Sequence, residues 1–168
     1  GQTTRDLKEI VIYASDAAAV SGLTLSADPT AARGTKMTST NSGRQWLDAP
    51  PPPNTAPYAI FAFDVPATGN YRVWLRLKGQ SNSKFNESVW VQFSNATRNG
   101  APVYRFGTNN GLLVNLENCS GCGISAWGWQ DNSWWLNQSS LVTLSEGMQA
   151  PYVTVREDGV EFDQIVLS

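Results

Sequence analysis

Alternation of apolar and polar side chains is the dominant signal along this chain. In residues 71–78, Tyr71, Val73, Leu75 and Leu77 share one face and Arg72, Trp74, Arg76 and Lys78 the other, the two-residue period of a half-buried strand. Residues 87–94 repeat it, with Val89, Val91 and Phe93 on one side and Trp90 and Gln92 on the other. Shorter β-rich runs at 9–14, 23–26, 34–38, 58–65, 112–116, 140–144, 152–156 and 161–167 are separated by Gly, Pro, Asn, Asp and Ser. Residues 15–20 read as a short turn or irregular connection. Asp158-Gly159 between the last two runs is a hairpin signal. Helical periodicity is nearly absent. The pattern predicts an all-β fold, a jelly-roll β-sandwich of two antiparallel sheets.

The segment between residues 127 and 135 breaks the alternation. It reads Trp-Gly-Trp-Gln-Asp-Asn-Ser-Trp-Trp, four of the seven tryptophans in nine residues. Its polar residues are turn formers, which predicts a loop or a loop–strand junction. Aromatic rings beside amides and a carboxylate suit a sugar: rings stack on the C–H face of a pyranose while polar groups take its hydroxyls. The candidate ligand residues here are Trp127, Trp129, Gln130, Asp131, Asn132, Trp134 and Trp135. The competing reading is that some of these rings plug one end of the sandwich.

Other tryptophans pose the same choice. Residues 41–57 predict a long loop in which Pro50 to Pro53, with fixed φ and no N–H, run as extended polyproline on the surface. Trp46 precedes them and either packs under the loop or meets a ligand. Trp74 and Trp90 fall on the polar side of neighbouring strands. Either they pack on arginine stems, with cation–π contact to Arg72 or Arg76, or they floor a concave sheet face. Asp163 shares parity with Ile165 and Leu167, and a buried carboxylate must be paired, hydrogen-bonded or bound to a cation. Calcium, a backbone-amide cap and a distant arginine all remain open.

Composition narrows the chemistry. The 168 residues carry a formal net charge of -2, with no basic patch, which argues against nucleic acid and anionic membranes as partners. No stretch approaches the ~18 apolar residues of a membrane span. Histidine is absent, excluding Ser-His-Asp and Cys-His catalysis and histidine-ligated zinc. Cys119 and Cys122 are the only cysteines; they predict a short-loop disulfide in an oxidising compartment, or else a pair of free thiols. Residues 1–8 read as a tail or linker remnant and 9–168 as one domain.

Residues 63–76 (Phe-Asp-Val-Pro-Ala-Thr-Gly-Asn-Tyr-Arg-Val-Trp-Leu-Arg), 86–91 (Asn-Glu-Ser-Val-Trp-Val), 142–147 (Val-Thr-Leu-Ser-Glu-Gly) and 156–167 (Arg-Glu-Asp-Gly-Val-Glu-Phe-Asp-Gln-Ile-Val-Leu) carry a resemblance. In that order, across residues 9–167, the chain resembles the galactose-binding-like β-sandwich superfamily, in particular family 6 and family 35 carbohydrate-binding modules of secreted bacterial proteins. The resemblance implies a sandwich without catalysis and a sugar cleft made by loops at one end. Trp46 would supply one aromatic there, and Trp127, Trp129, Trp134 or Trp135 the other. The polar turn before the last strand falls at Glu157 and Asp158. Its acidity departs from the asparagine frequent in the family, and implies a calcium-bridged sugar or a cationic amino sugar. The resemblance also implies a structural calcium, with Asp163 as one ligand and Asp16 as the nearest match for the other.

These observations lead to a non-catalytic carbohydrate-binding module, monomeric, secreted, and linked to other domains of a larger protein. Asn86, Glu87, Glu157 and Asp158 join the tryptophan segment as hydrogen-bonding residues. Two alternatives stand beside it. One is an adhesive or structural protein-interaction domain. The other is a glycoside hydrolase or lyase working through two carboxylates among Glu87, Asp131, Glu157 and Asp158.

Overall fold

The computed structural model describes residues 9–168, so the tail expected at 1–8 lies outside the described residues. Among them the chain forms sixteen strands, numbered in chain order, and no helix beyond three short 3₁₀ turns. The larger sheet has nine strands. Its centre is β7 (Gly69–Gly79) against β16 (Val160–Leu167), both antiparallel to their neighbours. Outward from β16 come β4 (Thr35–Thr38) and β3 (Thr24–Ala27), and outward from β7 come β13 (Leu141–Leu144), β9 (Thr97–Arg98) and β10 (Ala101–Pro102). β1 (Ile10–Tyr13) also pairs with β16, setting Ile10 opposite Leu167, and β12 (Gly128–Gln130) also pairs with β7. The five-stranded sheet runs β11 (Leu112–Asn115), β8 (Ser88–Phe93), β15 (Pro151–Val155), β5 (Tyr58–Ile60), β2 (Ala19–Ser21). A two-stranded ladder of β6 (Phe63–Val65) and β14 (Gly147–Gln149) completes the β-sandwich.

The core follows the alternation. Tyr71, Val73, Leu75 and Leu77 of β7 are wholly buried, facing Val89, Val91 and Phe93 of β8. Phe61 packs edge-on against Phe162, their ring centroids 6.2 Å apart, in the T-shaped geometry the aromatic quadrupole favours.

The structure departs from the pattern in four places. The run at 58–65 divides into β5, which pairs with β15, and β6, which pairs with β14; Ala59, Phe61, Phe63 and Val65 keep one buried parity across the break, and the Phe61 N–H still donates to the Pro151 carbonyl at 3.0 Å. The turn expected at 15–20 is a 3₁₀ turn (Ala14–Asp16) followed by β2. β8 is buried on both faces: loops cover its outer side, where the Trp90 indole donates to the Leu47 carbonyl at 3.1 Å and Gln92 to the carbonyls of Arg105, Thr108 and Asn110. In β16 a bulge between Phe162 and Gln164 resets the parity, so that Phe162, Ile165 and Leu167 all face inward and Asp163 is turned out of the hydrocarbon core. The proline run is only partly a surface feature. Pro50 is buried, its Cγ 2.5 Å from where a Cβ on Gly111 would lie, which leaves that position to glycine.

Candidate functional site: an aromatic cleft at the loop end

The tryptophan segment does not form one platform. β12 lies against β7 of the nine-stranded sheet, while Asn115 at the end of β11 in the five-stranded sheet donates its N–H to the Asn132 carbonyl at 3.3 Å. The segment therefore spans the gap between the two sheets, and its rings fall on different faces. Trp127 lies over the nine-stranded sheet, 5.0 Å from the Arg76 guanidinium and 5.7 Å from the Lys78 ammonium, with its indole donating to Thr30. The arginine-stem contact expected of Trp74 is thus made by Trp127. Trp129 stands on the edge strand β12, 42% exposed. Trp134 and Trp135 meet edge-to-face, and Trp135 has Arg156 5.6 Å from its ring centroid.

The polar residues of the segment are spent internally. Gln130 donates to the Leu116 carbonyl and to Asn118, and Asn132 to the Gln138 carbonyl. Asp131 accepts from Arg72 and Ser140, both at 3.1 Å. The expected Cys119–Cys122 disulfide is formed upstream. The loop it closes is fastened by Glu117, which accepts from the Gly123 N–H at 2.6 Å.

A cleft of about 220 Å³ opens where the β4–β5 loop meets the β7–β8 loop and the β15–β16 turn. Its lining includes Arg44, Trp46, Phe85, Asn86 and Asp158. Trp46 is 46% exposed and Phe85 64%. Trp46 is therefore not packed under the proline loop. Its indole N–H is fixed by Asp48 at 2.9 Å. Left-handed Ser81 and Asn82 shape the short loop that presents Phe85. Phe85 and Arg44 have no periodic signal in the sequence; the one available clue is a lone large aromatic in a polar loop.

Asp158 is the keystone of the cleft rather than its free carboxylate. Its oxygens accept from the Thr40 hydroxyl at 2.6 Å, from the Ser42 N–H at 2.6 Å and hydroxyl at 3.0 Å, and from the Arg44 N–H at 3.4 Å. Burial pushes its carboxyl up, but these bonds outweigh burial and hold it below the ordinary carboxylate range. The Arg44 guanidinium reaches the Val155 carbonyl at 3.1 Å, and the Leu47 N–H the Arg156 carbonyl at 3.2 Å. The loop is thus tied down at four residues, Thr40, Ser42, Arg44 and Leu47, before any ligand arrives. Gly159 completes the turn with φ +102, and a Cβ there would sit 2.5 Å from Asn86 Cγ. The Asn86 amide itself donates to the Gln80 carbonyl.

Glu87 and Glu157 do not reach the cleft surface. They are 3% and 7% exposed. Glu87 accepts from the Glu117 N–H at 2.9 Å, and desolvation pushes its carboxyl up to about 7. Glu157 accepts from the Ser88 hydroxyl at 2.6 Å, with Arg156 3.6 Å away, and desolvation again raises it. Both belong to a buried polar cluster behind the cleft, an outcome that strand parity alone does not reveal.

The two residues expected to hold calcium have other partners. Asp16 accepts from the Tyr13 N–H at 2.8 Å. Asp163, wholly buried, accepts from Arg76 at 2.6 Å and the Ala32 N–H at 2.7 Å, leaving Oδ1 without a protein partner. Among the described residues no three His, Cys, Asp or Glu side chains converge as metal ligands. The donor set does not fit a carboxylate cage, because a guanidinium already sits against Asp163 where a bound cation would compete with it.

No protein-family model and no curated protein matches the sequence. Solved structures match its fold. A family 35 carbohydrate-binding module from Clostridium thermocellum aligns over 95% of this chain and 96% of its own, at 10% identity and TM-score 0.60. The C-terminal family 6 module of a marine laminarinase from Zobellia galactanivorans aligns over 95% and 98%, at 12% identity and TM-score 0.55. The chain has the β-sandwich fold of these modules. A β-(1,4)-mannanase from Podospora anserina bearing a family 35 module aligns over 96% of this chain but 27% of its own, at 15% identity and TM-score 0.60. The chain thus spans about a quarter of that enzyme's length.

Proposed function

We propose that this domain is a non-catalytic carbohydrate-binding module that holds a larger extracellular protein on a poly- or oligosaccharide. The observation that carries the proposal is the loop-end cleft, where Trp46, on a tied-down loop, and Phe85, on the β7–β8 loop, stand exposed beside Arg44. Aromatic faces take the C–H face of a sugar ring, and guanidinium and amide groups take its hydroxyls. The fold is shared with proteins described as carbohydrate-binding modules, alone and within enzymes. The disulfide suits an oxidising, extracellular setting. A dissociation constant between about micromolar and millimolar, about -8 to -4 kcal/mol, is ordinary for so few contacts.

A hydrolase or lyase needs two carboxylates open to substrate. Glu87 and Glu157 are buried, Asp158 is consumed by the loop, and Asp131 is paired with Arg72. The protein-interaction alternative draws on Trp134, Trp135 and Leu136, each more than 40% exposed.

Affinity electrophoresis in gels containing galactomannan, laminarin, dextran or β-1,3-galactan separates the readings. The wild-type chain is retarded by at least one polymer. Trp46→Ala loses that retardation while its melting temperature stays within about 2 °C, since an exposed ring contributes little to folding. Free migration of the wild type in all four gels, with a blank glycan array, refutes the proposal.

A further inference from the structure

The edges of the two main sheets are not finished alike. Along their strand orders the sheets end at β10 and β3, and at β11 and β2. An edge strand offers unpaired N–H and C=O groups to any other strand, and natural monomers cover or blunt it. β11 is covered. Its Leu113 N–H donates to the Gln138 side chain at 2.9 Å and its Asn115 N–H to the Asn132 carbonyl at 3.3 Å, while the Gly111 carbonyl accepts from Gln138 at 2.9 Å. β10 is blunted. It has two residues, one of them Pro102, which has no N–H to offer.

β3 has neither device. It lies in a run, residues 17–27, without a charge or a proline. It pairs with β4 in unbroken register from Thr24 opposite Thr38 to Ala27 opposite Thr35, so no bulge turns it aside. Among the described residues its outward backbone groups have no partner. Leu25 stands opposite the wholly buried Met37, which places it on the core face of the sheet, yet it is 44% exposed because no strand lies beyond it. Thr24 and Ser26 take the other face, where the Ser26 and Thr38 hydroxyls are 3.1 Å apart. β2 repeats the arrangement at the edge of the other sheet: Val20 stands opposite the buried Ala59 and is itself exposed. Gly22, at φ +72, turns β2 into β3. Both edges, and both apolar side chains, are thus held at one open side of the sandwich.

We propose that β3 is the contact of a homodimer, in which two copies of this chain join their nine-stranded sheets edge to edge, antiparallel, about a two-fold axis at Leu25. It replaces the monomer expected from the sequence. The strand itself names the occupant. An axis perpendicular to the sheet keeps the two core faces level. Centred on Leu25, it sets Leu25 against the partner's Leu25, Thr24 against the partner's Ser26 and Leu23 against the partner's Ala27. Every pair matches, apolar to apolar on the core side and hydroxyl to hydroxyl outside. A one-residue slip sets Leu25 against the partner's Ser26 and breaks the match. Lys36, opposite Ser26 on β4, is paired with Asp28 at 3.1 Å and Glu161 at 2.8 Å within its own chain, so it brings no unpaired charge to the seam. The contact is isologous, so assembly closes at two copies. A dimer carries two loop-end clefts, and a polysaccharide that spans them is held by avidity. That consequence rests on the sugar-binding reading; the dimer does not.

The test is sedimentation of the full chain from about 10 µM to about 1 mM, because an edge of four residues makes a small contact at the weak end of specific association. We expect the average mass to rise toward twice that of the chain, with no larger species. Leu25→Lys sets like charges face to face at the axis and should raise the dissociation constant at least about tenfold. Leu25→Cys tests the register. Opposed residues of antiparallel strands have Cα atoms about 4.5–5.5 Å apart, within disulfide range, so mild oxidation should link two copies. Met148→Cys, still more exposed at 67%, should remain unlinked under the same conditions. Leu25 is half exposed, and cooperative melting of each variant reports that it is folded. A single-chain mass for the wild type at 1 mM overturns the proposal. So does a dimer that survives Leu25→Lys and leaves Leu25→Cys unlinked, since its contact lies elsewhere, and so does open-ended assembly. Glycan retention is read separately: its loss would remove the proposed function and leave the dimer, and its presence in a strictly monomeric chain would do the reverse.

Discussion

Among single residues, carboxylates were the hardest to read from sequence. Asp158 sits in a turn where an exposed ligand-binding side chain is the natural expectation, yet four hydrogen bonds make it the anchor of the Trp46 loop. Asp158→Ala should therefore cost about 2–3 kcal/mol of stability, the range for bonds to a buried charge. It should also weaken sugar binding although Trp46 and Phe85 are intact, as calorimetry beside thermal melting would record. Glu87 gives a pH signature. Burial desolvates its carboxyl and pushes it up from the ordinary 4.5 to about 7 in the fold. Between those values the folded chain holds a proton that the unfolded chain has released, so stability falls as pH rises from about 4.5 to 7 and then levels. Glu157, raised for the same reason, acts in the same direction. Glu87→Gln should remove a decline on the order of 3 kcal/mol, seen as a flatter melting profile across that window. A slope unchanged by the substitution would remove Glu87 as its source. Trp46 was legible as a candidate because a large ring beside a rigid proline run is conspicuous. Phe85 was not, since an isolated aromatic in a polar loop has no period to betray it.

Among elements, the alternation of β7 transferred directly into burial, residue by residue. The last strand did not, because a bulge is a change of register with no composition of its own. That bulge places Asp163 against Arg76, a guanidinium beside the carboxylate for which the family resemblance implies calcium. Arg76→Ala would leave a wholly buried carboxylate uncompensated, and should cost about 3–5 kcal/mol. Chelator or added calcium should shift the wild-type melting temperature by less than about 1 °C. A stabilisation of several degrees by calcium would show that the cation, not the guanidinium, satisfies Asp163. The tryptophan segment teaches a related lesson. Its density of rings was plain, but the sequence does not say that the chain crosses from one sheet to the other within it. That crossing divides four neighbouring rings among separate surfaces.

At the scale of the whole molecule, the class of fold was legible because short alternating runs and turn residues leave few other architectures. The covering of the outer side of β8 was not, because loops without a period supply it. The pairing of β1 with β16 has a consequence for engineering. Ile10 and Leu167 are register partners on adjacent strands, so a short Gly/Ser bridge can join the ends of the sandwich. New ends can be opened in the β9–β10 turn, where Asn99 and Gly100 are exposed and left-handed, the kind of tip that tolerates circular permutation. Such a permutant should melt cooperatively within several degrees of the parent and keep its glycan retention. The same adjacency makes the sandwich a cassette: spliced into a surface loop of a host enzyme through both ends at once, it would stand on a two-stranded stalk with its recognition loops turned to the solvent.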